Sequence, residues 1–276
     1  MNPKVLNASQ IKRFIPKRPS TSQKGNNGHL LIVAGSRGMT GAAYLCALGA
    51  LKAGAGLVTV AGPSTVRRVI GSRLPEAMMI PLSAAEIKKY VRRRTITTLA
   101  IGPGLSVHPS IRRVIKALLH LGLPVVLDAD GLNNIKPVDI KSKPIVITPH
   151  PGELARLLGK SVREIQADRV RVAIGTAKRL GLICVLKGHR TVISDGWKSY
   201  LNPTGNQAMA TGGMGDVLTG VIGALLAQDL SLFDAASAGV YLHGLAGDIA
   251  KISDRGLLAT ELANTIPKAL KKMGIR

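Results

Sequence analysis

The chain has 276 residues, of which 46% are hydrophobic and only 3% aromatic. That length fits one large α/β domain or two small ones, and the core must be built from aliphatic side chains. Cys46 and Cys184 lie in apolar runs, which indicates buried free thiols and excludes a disulfide framework. The N-terminal stretch lacks an apolar segment and no apolar run reaches membrane-spanning length, so we expect a cytoplasmic protein without signal peptide or membrane contact.

The chain is strongly basic, with a net charge of +23 from 38 basic and 15 acidic residues. Such a charge is compatible with nucleic-acid binding. However, the basic residues are scattered over the polar faces of predicted helices, without a basic tail or interleaved aromatic residues. This distribution favours a solvated charged surface and no nucleic-acid partner, although the positive field would still attract small polyanions such as nucleotides.

Apolar runs and turn residues alternate regularly along the chain. Helical patterns cover residues 7–15, 42–53, a stretch from about 64, 83–93, 109–120, 154–158, 161–180, 215–227, 232–252 and 258–272. Strand patterns cover residues 29–34, 56–61, 77–81, 97–101, 124–127, 145–147, 183–187, 191–194 and 198–201. Ser83 and Glu86 have the spacing of a capping box, and Asp195-Gly196 predicts a hairpin.

This alternation predicts an α/β fold with a mostly parallel central sheet and helices on both faces. No internal repeat or linker interrupts residues 1–276, so we predict a single domain. In such folds ligands bind beyond the carboxyl ends of the strands. Nearly every unusual loop follows a strand, namely GSRGMTG at 35–41, GPG at 102–104, DADG at 128–131, TPHPGE at 148–153 and KGH at 187–189. Their shared placement predicts one composite site.

A glycine-rich loop at residues 211–215 leads into Asp216 and an apolar helix pattern. Glycines let a phosphate approach backbone N–H groups, and the start of a helix adds unpaired donors and a positive dipole. A carboxylate would repel that phosphate. Asp216 is therefore either a base beside a phosphoryl group in transit or a cap on the helix, and this stretch alone leaves both interpretations open.

Other polar loop residues carry weaker signals. Asp128 and Asp130 could serve Mg²⁺ through water, or Asp130 could cap a helix. His150 lies in a loop where a histidine is more often structural than catalytic, and Glu153 could cap the following helix. Lys187, at a strand end, could reach a nucleotide phosphate as a point charge.

Taken in order, several of these segments resemble the NAD(P)H-hydrate dehydratases, the carbohydrate-kinase-like branch of the ribokinase superfamily. The segments are KGNNGHLLIVAGSRGMTGAAYL, GPGL, DADGLN, ITPHPGELARLLG, LKGHRTVISDG and GNQAMATGGMGDVLTGVIGALLAQ. The resemblance runs from about Lys24 to the C-terminal helices, and ITPHPGE together with ATGG-x-GD is a highly specific combination. It implies a ribokinase-like fold and a nicotinamide nucleotide repair enzyme. That enzyme removes water from the S epimer of NADH-hydrate or NADPH-hydrate while hydrolysing ADP, or ATP, with AMP and phosphate as the products from ADP.

The resemblance also implies residue roles. Asp216 would be the catalytic base, and Mg²⁺ would be present with Glu153 as a candidate ligand through water. The anion hole would be formed by the backbone of Gly213, Met214 and Gly215. The hydrated dinucleotide would contact Ala42, Gly104, His150 and Asp216. The adenine nucleotide would contact Lys187, Gly188, His189, Arg190, Thr191 and Gly215.

The same resemblance implies partners, and the sequence departs from the family pattern at one place. A separate NAD(P)H-hydrate epimerase would supply the S epimer, and the chain would form a homo-oligomer, a homotetramer, for which Ala- and Gly-rich helices could provide surface. Gln207-Ala208 stands where the family pattern has Pro-Gly. The alternative function is a superfamily kinase that phosphorylates a small alcohol such as hydroxymethylpyrimidine or hydroxyethylthiazole with the same Asp216.

Overall fold

The computed structural model describes residues 3–275, which contain ten strands. The strands are β1 (Lys4–Val5), β2 (His29–Val33), β3 (Leu57–Gly62), β4 (Met78–Pro81), β5 (Thr98–Ile101), β6 (Val125–Leu127), β7 (Ile145–Ile147), β8 (Ile183–Leu186), β9 (Val192–Ser194) and β10 (Ser199–Leu201). They form one sheet in the order β1-β10-β9-β8-β7-β6-β5-β2-β3-β4. Within the described residues only β9 runs antiparallel to its neighbours, so the predicted, mostly parallel sheet is confirmed.

Thirteen α-helices lie within the same residues and cover both faces of the sheet. They are α1 (Ala8–Phe14), α2 (Thr40–Lys52), α3 (Ser64–Arg73), α4 (Ala84–Arg93), α5 (Pro109–Leu118), α6 (Asp130–Asn133), α7 (Pro137–Ile140), α8 (Pro151–Leu158), α9 (Val162–Ala167), α10 (Arg169–Leu180), α11 (Met214–Ala227), α12 (Leu232–Ala250) and α13 (Ala259–Lys272). None of these helices is long and apolar enough to cross a membrane.

Alternate residues of β2 show how the sheet divides the core. Leu30 and Ile32 pack into one apolar cluster with residues of α2, α11, α12 and α13, while Leu31 and Val33 pack into a second cluster with residues of α4, α5, α8 and α10. All four side chains are fully buried. A strand covered on both faces gains from an apolar residue at every position, which is why the central strands read as continuous aliphatic runs.

Helix α11 lies against α2 at very short range. A β-carbon at Gly220 would stand 2.0 Å from the Cys46 carbonyl oxygen, and one at Gly49 would stand 2.6 Å from the Val217 carbonyl oxygen. Glycine is therefore required at both positions for the two helices to pack at this distance. Most small residues of these two helices are buried within the chain, among them Ala47 and Gly49 of α2 and Gly220 and Ala224 of α11. The homotetramer stays a prediction.

The predicted elements are found within a few residues of their expected bounds, with two corrections. The capping box at Ser83 is wrong, because α4 starts after Ser83 without a hydrogen bond from its side chain. The predicted helix at 161–180 is two helices, since Asp168 leaves the helical conformation and its Oδ1 accepts the Arg171 N–H at 2.9 Å. A side-chain cap of this kind starts a new helix. The hairpin of β9 and β10 is confirmed.

Candidate active site

The carboxyl ends of β6, β7 and β8 are adjacent in the sheet and bring distant charged residues together. Nζ of Lys187, which follows β8, lies 2.6 Å from Oδ1 of Asp128, which follows β6. The same Nζ lies 3.7 Å from Oε2 of Glu153, in the first turn of α8. Thr219, on α11, donates its hydroxyl to Oδ2 of Asp128 at 2.7 Å. A buried ionic network therefore joins three strand ends to α11.

The charge state of this network follows from burial and pairing. Only 20% of the Lys187 side chain is exposed, against 2% for Asp128 and 7% for Glu153. Burial lowers the pKa of Lys187, but Asp128 and Glu153 outweigh it and leave that pKa raised. Burial also raises the pKa of Glu153, and Lys187 opposes this effect. Lys187 is thus a fixed cation whose ammonium group is already held by carboxylates.

Asp216 is the third residue of α11, which begins at Met214 after Gly213. The interpretation of Asp216 as the helix cap is therefore wrong. No side chain within residues 3–275 caps this helix, so the N–H groups of its first turn remain available to an anion. Burial raises the pKa of Asp216 to about 7, Asp128 adds to the rise and Lys187 opposes it. A carboxyl with this pKa can accept and release a proton near neutral pH.

A cavity of about 530 Å³ opens beside this helix start. Its wall includes all six residues predicted to contact the adenine nucleotide, which are Lys187, Gly188, His189, Arg190, Thr191 and Gly215. Clefts of this size commonly hold ligands of nucleotide dimensions. The wall also contains His243, which the sequence reasoning missed. Its Nε2 lies 2.9 Å from the Met214 carbonyl oxygen, and burial lowers its pKa to about 4, so a neutral imidazole holds the first turn of α11.

The four residues predicted to contact the hydrated dinucleotide do not line this cavity, although Asp216 directly follows Gly215, which does. Ala42 and Gly104 are neighbours, because a β-carbon at Gly104 would stand 2.9 Å from that of Ala42. His150 caps α8, where its backbone N–H donates to Oε2 of Glu153 at 2.7 Å, and 55% of its side chain is exposed. The proposal that Glu153 helps to cap this helix is confirmed. The predicted contacts therefore fall into two groups, one that lines the cavity and one that does not.

The two aspartates of the DADG segment, Asp128 and Asp130, bind different partners. Oδ2 of Asp130 accepts the Ser106 N–H at 2.8 Å, whereas Asp128 binds Lys187. Asp130 is the first residue of α6 and Ala129 precedes that helix, so the prediction that Asp130 caps it is wrong. The sequence reasoning also missed Thr219 as a partner of Asp128. Its position one turn after Gly215 in the helix pattern was the available signal.

The carboxylates of this network do not fit a directly bound metal ion. Both oxygens of Asp128 are occupied by Lys187 and Thr219, and Oε2 of Glu153 accepts the His150 N–H. Across residues 3–275 no group of three His, Cys, Asp or Glu side chains is placed to hold a metal. A Mg²⁺ ion usually retains water and binds substrate phosphates. Glu153 as a ligand through water stays a prediction.

Known proteins similar in sequence to this chain belong to one family. The family model for NAD(P)H-hydrate dehydratase matches residues 30–268. A bifunctional NAD(P)H-hydrate repair enzyme of Moorella thermoacetica is 41% identical over 290 residues, which cover 99% of this chain and 54% of that protein. The chain spans about half the length of such bifunctional relatives.

Relatives of the same length are also found. An ADP-dependent (S)-NAD(P)H-hydrate dehydratase of Bacillus subtilis is 36% identical over 276 residues, with 99% of both chains covered. A crystal structure of the ADP/ATP-dependent NAD(P)H-hydrate dehydratase of that organism, co-crystallised with ATP and Mg²⁺, matches at a TM-score of 0.88 and 34% identity, with 99% of each chain covered. The predicted family and ribokinase-like fold class are confirmed, and the chain belongs to the NAD(P)H-hydrate dehydratase family.

Proposed function

We propose that this protein is a hydro-lyase that dehydrates the S epimer of NADH-hydrate or NADPH-hydrate and hydrolyses ADP to AMP and phosphate. The observation that carries the proposal is the position of Asp216, whose pKa is raised to about 7 beside an uncapped helix start. Gly215, the residue before Asp216, lines the cavity together with residues 187–191, while Ala42 and Gly104 are neighbours of each other outside that cavity. A base next to a wall residue of the nucleotide cavity is suited to act on a second ligand that meets the nucleotide there.

The chemical problem is the leaving group, because hydroxide departs poorly from C6 of the hydrated ring. In the proposed path Asp216 accepts the proton of the C6 hydroxyl group. The oxygen of that hydroxyl group attacks the β-phosphorus of ADP at the same time. The bond to AMP breaks as the new P–O bond forms. The first-turn N–H groups of α11 stabilise the charge on the transferring phosphoryl group. The ring nitrogen then expels phosphate from C6, and loss of the C5 proton restores NADH.

Lys187 is proposed to contact the nucleotide phosphate while it stays paired with Asp128 and Glu153. Its ammonium lies 3.4 Å from the point where a β-carbon of Gly215 would stand, so it reaches the same helix start. Three donors on one ammonium allow a carboxylate and a phosphate to be bound together. A Mg²⁺ ion would accompany the nucleotide phosphates, because Mg²⁺ usually keeps several waters and is bound through substrate phosphates.

The proposed substrate has consequences for partners and location. Only one epimer is a substrate, so an NAD(P)H-hydrate epimerase activity that interconverts the R and S forms is proposed to act in the same repair sequence. A cytoplasmic location is proposed because reduced nicotinamide dinucleotides are used there. A homotetramer is proposed from the family resemblance alone.

The test is an assay with S-epimer NADH-hydrate, Mg²⁺ and ADP or ATP, which follows recovery of the reduced-nicotinamide absorbance. We expect ADP to support recovery with release of AMP and phosphate. Asp216→Asn should lower turnover by at least about 10²-fold, as for loss of a general base, while ADP still binds. Absence of recovery, together with a stable phosphate ester formed from hydroxyethylthiazole, would instead establish the kinase alternative. Near-normal turnover of Asp216→Asn would remove Asp216 from the role of base.

A further inference from the structure

An arginine from another element holds the loop at residues 187–191, which follows β8 and lines the cavity. Arg169 is the first residue of α10. Its Nη2 donates to the Leu186 carbonyl at 3.0 Å and to the Lys187 carbonyl at 3.1 Å, and its Nη1 donates to the His189 carbonyl. A guanidinium presents five donors in a rigid plane, so a single side chain can fix three carbonyl groups at once.

The loop is shaped to receive this guanidinium at Gly188. A β-carbon there would stand 2.8 Å from Nη2 of Arg169 and would force the guanidinium to shift, and the φ angle of Gly188 is 141°. Glycine is therefore needed for the backbone conformation, and it also leaves the guanidinium room to reach the loop carbonyls. Loop and arginine form one packed unit.

Few other contacts define the path of this loop. At its start the Lys187 N–H donates to the Pro149 carbonyl at 2.9 Å, and at its end the Asn202 N–H donates to the Thr191 carbonyl at 3.0 Å. Thr191 also donates its hydroxyl to the Gly188 carbonyl, within the loop itself. Among the hydrogen bonds of residues 3–275, Arg169 is the only side chain from outside the loop that binds its backbone. The middle of the loop therefore depends on Arg169.

We propose that Arg169 is a positioning residue that sets the affinity for the adenine nucleotide by keeping residues 187–191 in the shape that lines the cavity. The role rests on the proposed function, because it takes this cavity as the nucleotide site. Lys187 keeps its own anchors, Asp128 and Glu153, when Arg169 is removed. Removing Arg169 should therefore weaken nucleotide binding. The apparent affinity for the nucleotide is multiplied by the fraction of molecules in which the loop has the binding conformation.

The experiment compares Arg169→Met with Arg171→Met, a matched control at an exposed arginine of the same helix. Binding of ADP and AMP is measured by calorimetry, and kcat and both KM values are measured with S-epimer NADH-hydrate. We expect Arg169→Met to raise the Kd for ADP about tenfold or more, with kcat and the KM for the hydrate within about twofold of wild type. Arg171→Met should change none of these values. Arg169→Lys should restore part of the affinity, because an ammonium can still donate to some of the three carbonyls.

Several results would overturn the role. One is an unchanged Kd for ADP in Arg169→Met, and another is a fall in kcat with ADP affinity unchanged. If Arg169→Met does not fold, the test uses Arg169→Lys instead. A wild-type affinity of that variant for ADP would reject the proposal. A wild-type protein that binds ADP but does not repair the hydrate would refute the dehydratase function. The ADP affinities of the Arg169 variants would still test the proposed role of Arg169 in that case. A wild-type protein that binds no adenine nucleotide would overturn both.

Discussion

Replacing Asp216 with asparagine should stabilise the protein, and the gain should grow with pH. The ordinary pKa of 3.8 applies to the unfolded chain, and burial and Asp128 raise the folded value to about 7. A carboxyl with a raised folded pKa penalises the folded state: the penalty is absent below pH 3.8, increases between 3.8 and about 7, and is complete above 7. At about 1.4 kcal/mol per pH unit, the penalty is about 4 kcal/mol at pH 8 and about 1.6 kcal/mol at pH 5.

Asparagine has no such penalty, so the difference in free energy of unfolding between Asp216→Asn and wild type should increase by about 2.5 kcal/mol from pH 5 to pH 8. Urea unfolding of both proteins at the two pH values measures this difference, and effects of the substitution that do not depend on pH cancel. Asp229→Asn is the matched control, an exposed carboxylate just beyond the other end of α11. A gain in Asp216→Asn that is equal at both pH values would refute the buried, raised-pKa carboxyl.

Three further predictions concern the same region. The kcat/KM for the hydrate should increase about tenfold from pH 6 to pH 8, since a base with a pKa of about 7 is largely protonated at the lower value; a flat profile would contradict this. Lys187→Met should weaken ADP binding in calorimetry and shift that profile to higher pH, because Lys187 lowers the pKa of Asp216. It should also lower Tm, since breaking a buried ion pair costs about 3–5 kcal/mol. Gly220→Ala should lower Tm by forcing a β-carbon toward the Cys46 carbonyl, whereas Gly175→Ala, which meets nothing within 4 Å, should not.

Much of the architecture could be predicted because local sequence determines it. The run from His29 to Val33 is apolar at each of its last four positions, which requires a strand covered on both faces. The hairpin at Asp195-Gly196 followed from turn chemistry alone. Predictions failed where a single side chain decided the outcome, as at Ser83, whose hydroxyl makes no cap, and at Asp168, which begins a new helix.

The site was predictable as a set of loops but not as a network. The sequence by itself determined that the unusual loops follow strands, and hence that they share one edge of a parallel sheet, and that Asp216 lies in the first turn of a helix after glycines. It could not determine that Asp128, Glu153 and Lys187 pair with one another, because those positions are far apart in the chain and only the adjacency of β6, β7 and β8 brings them together.

Tertiary structure also decided the proton affinity of Asp216 and the shape of the nucleotide loop. A pKa depends on desolvation and on charges across space, and both are set by which elements cover the side chain. The burial of Asp216 and the charges of Asp128 and Lys187 come from different strands and helices, as does the contact of Arg169 with residues 187–191. Local sequence determines residue types and turn positions, whereas the charge state of a buried carboxyl depends on the packing of the whole domain.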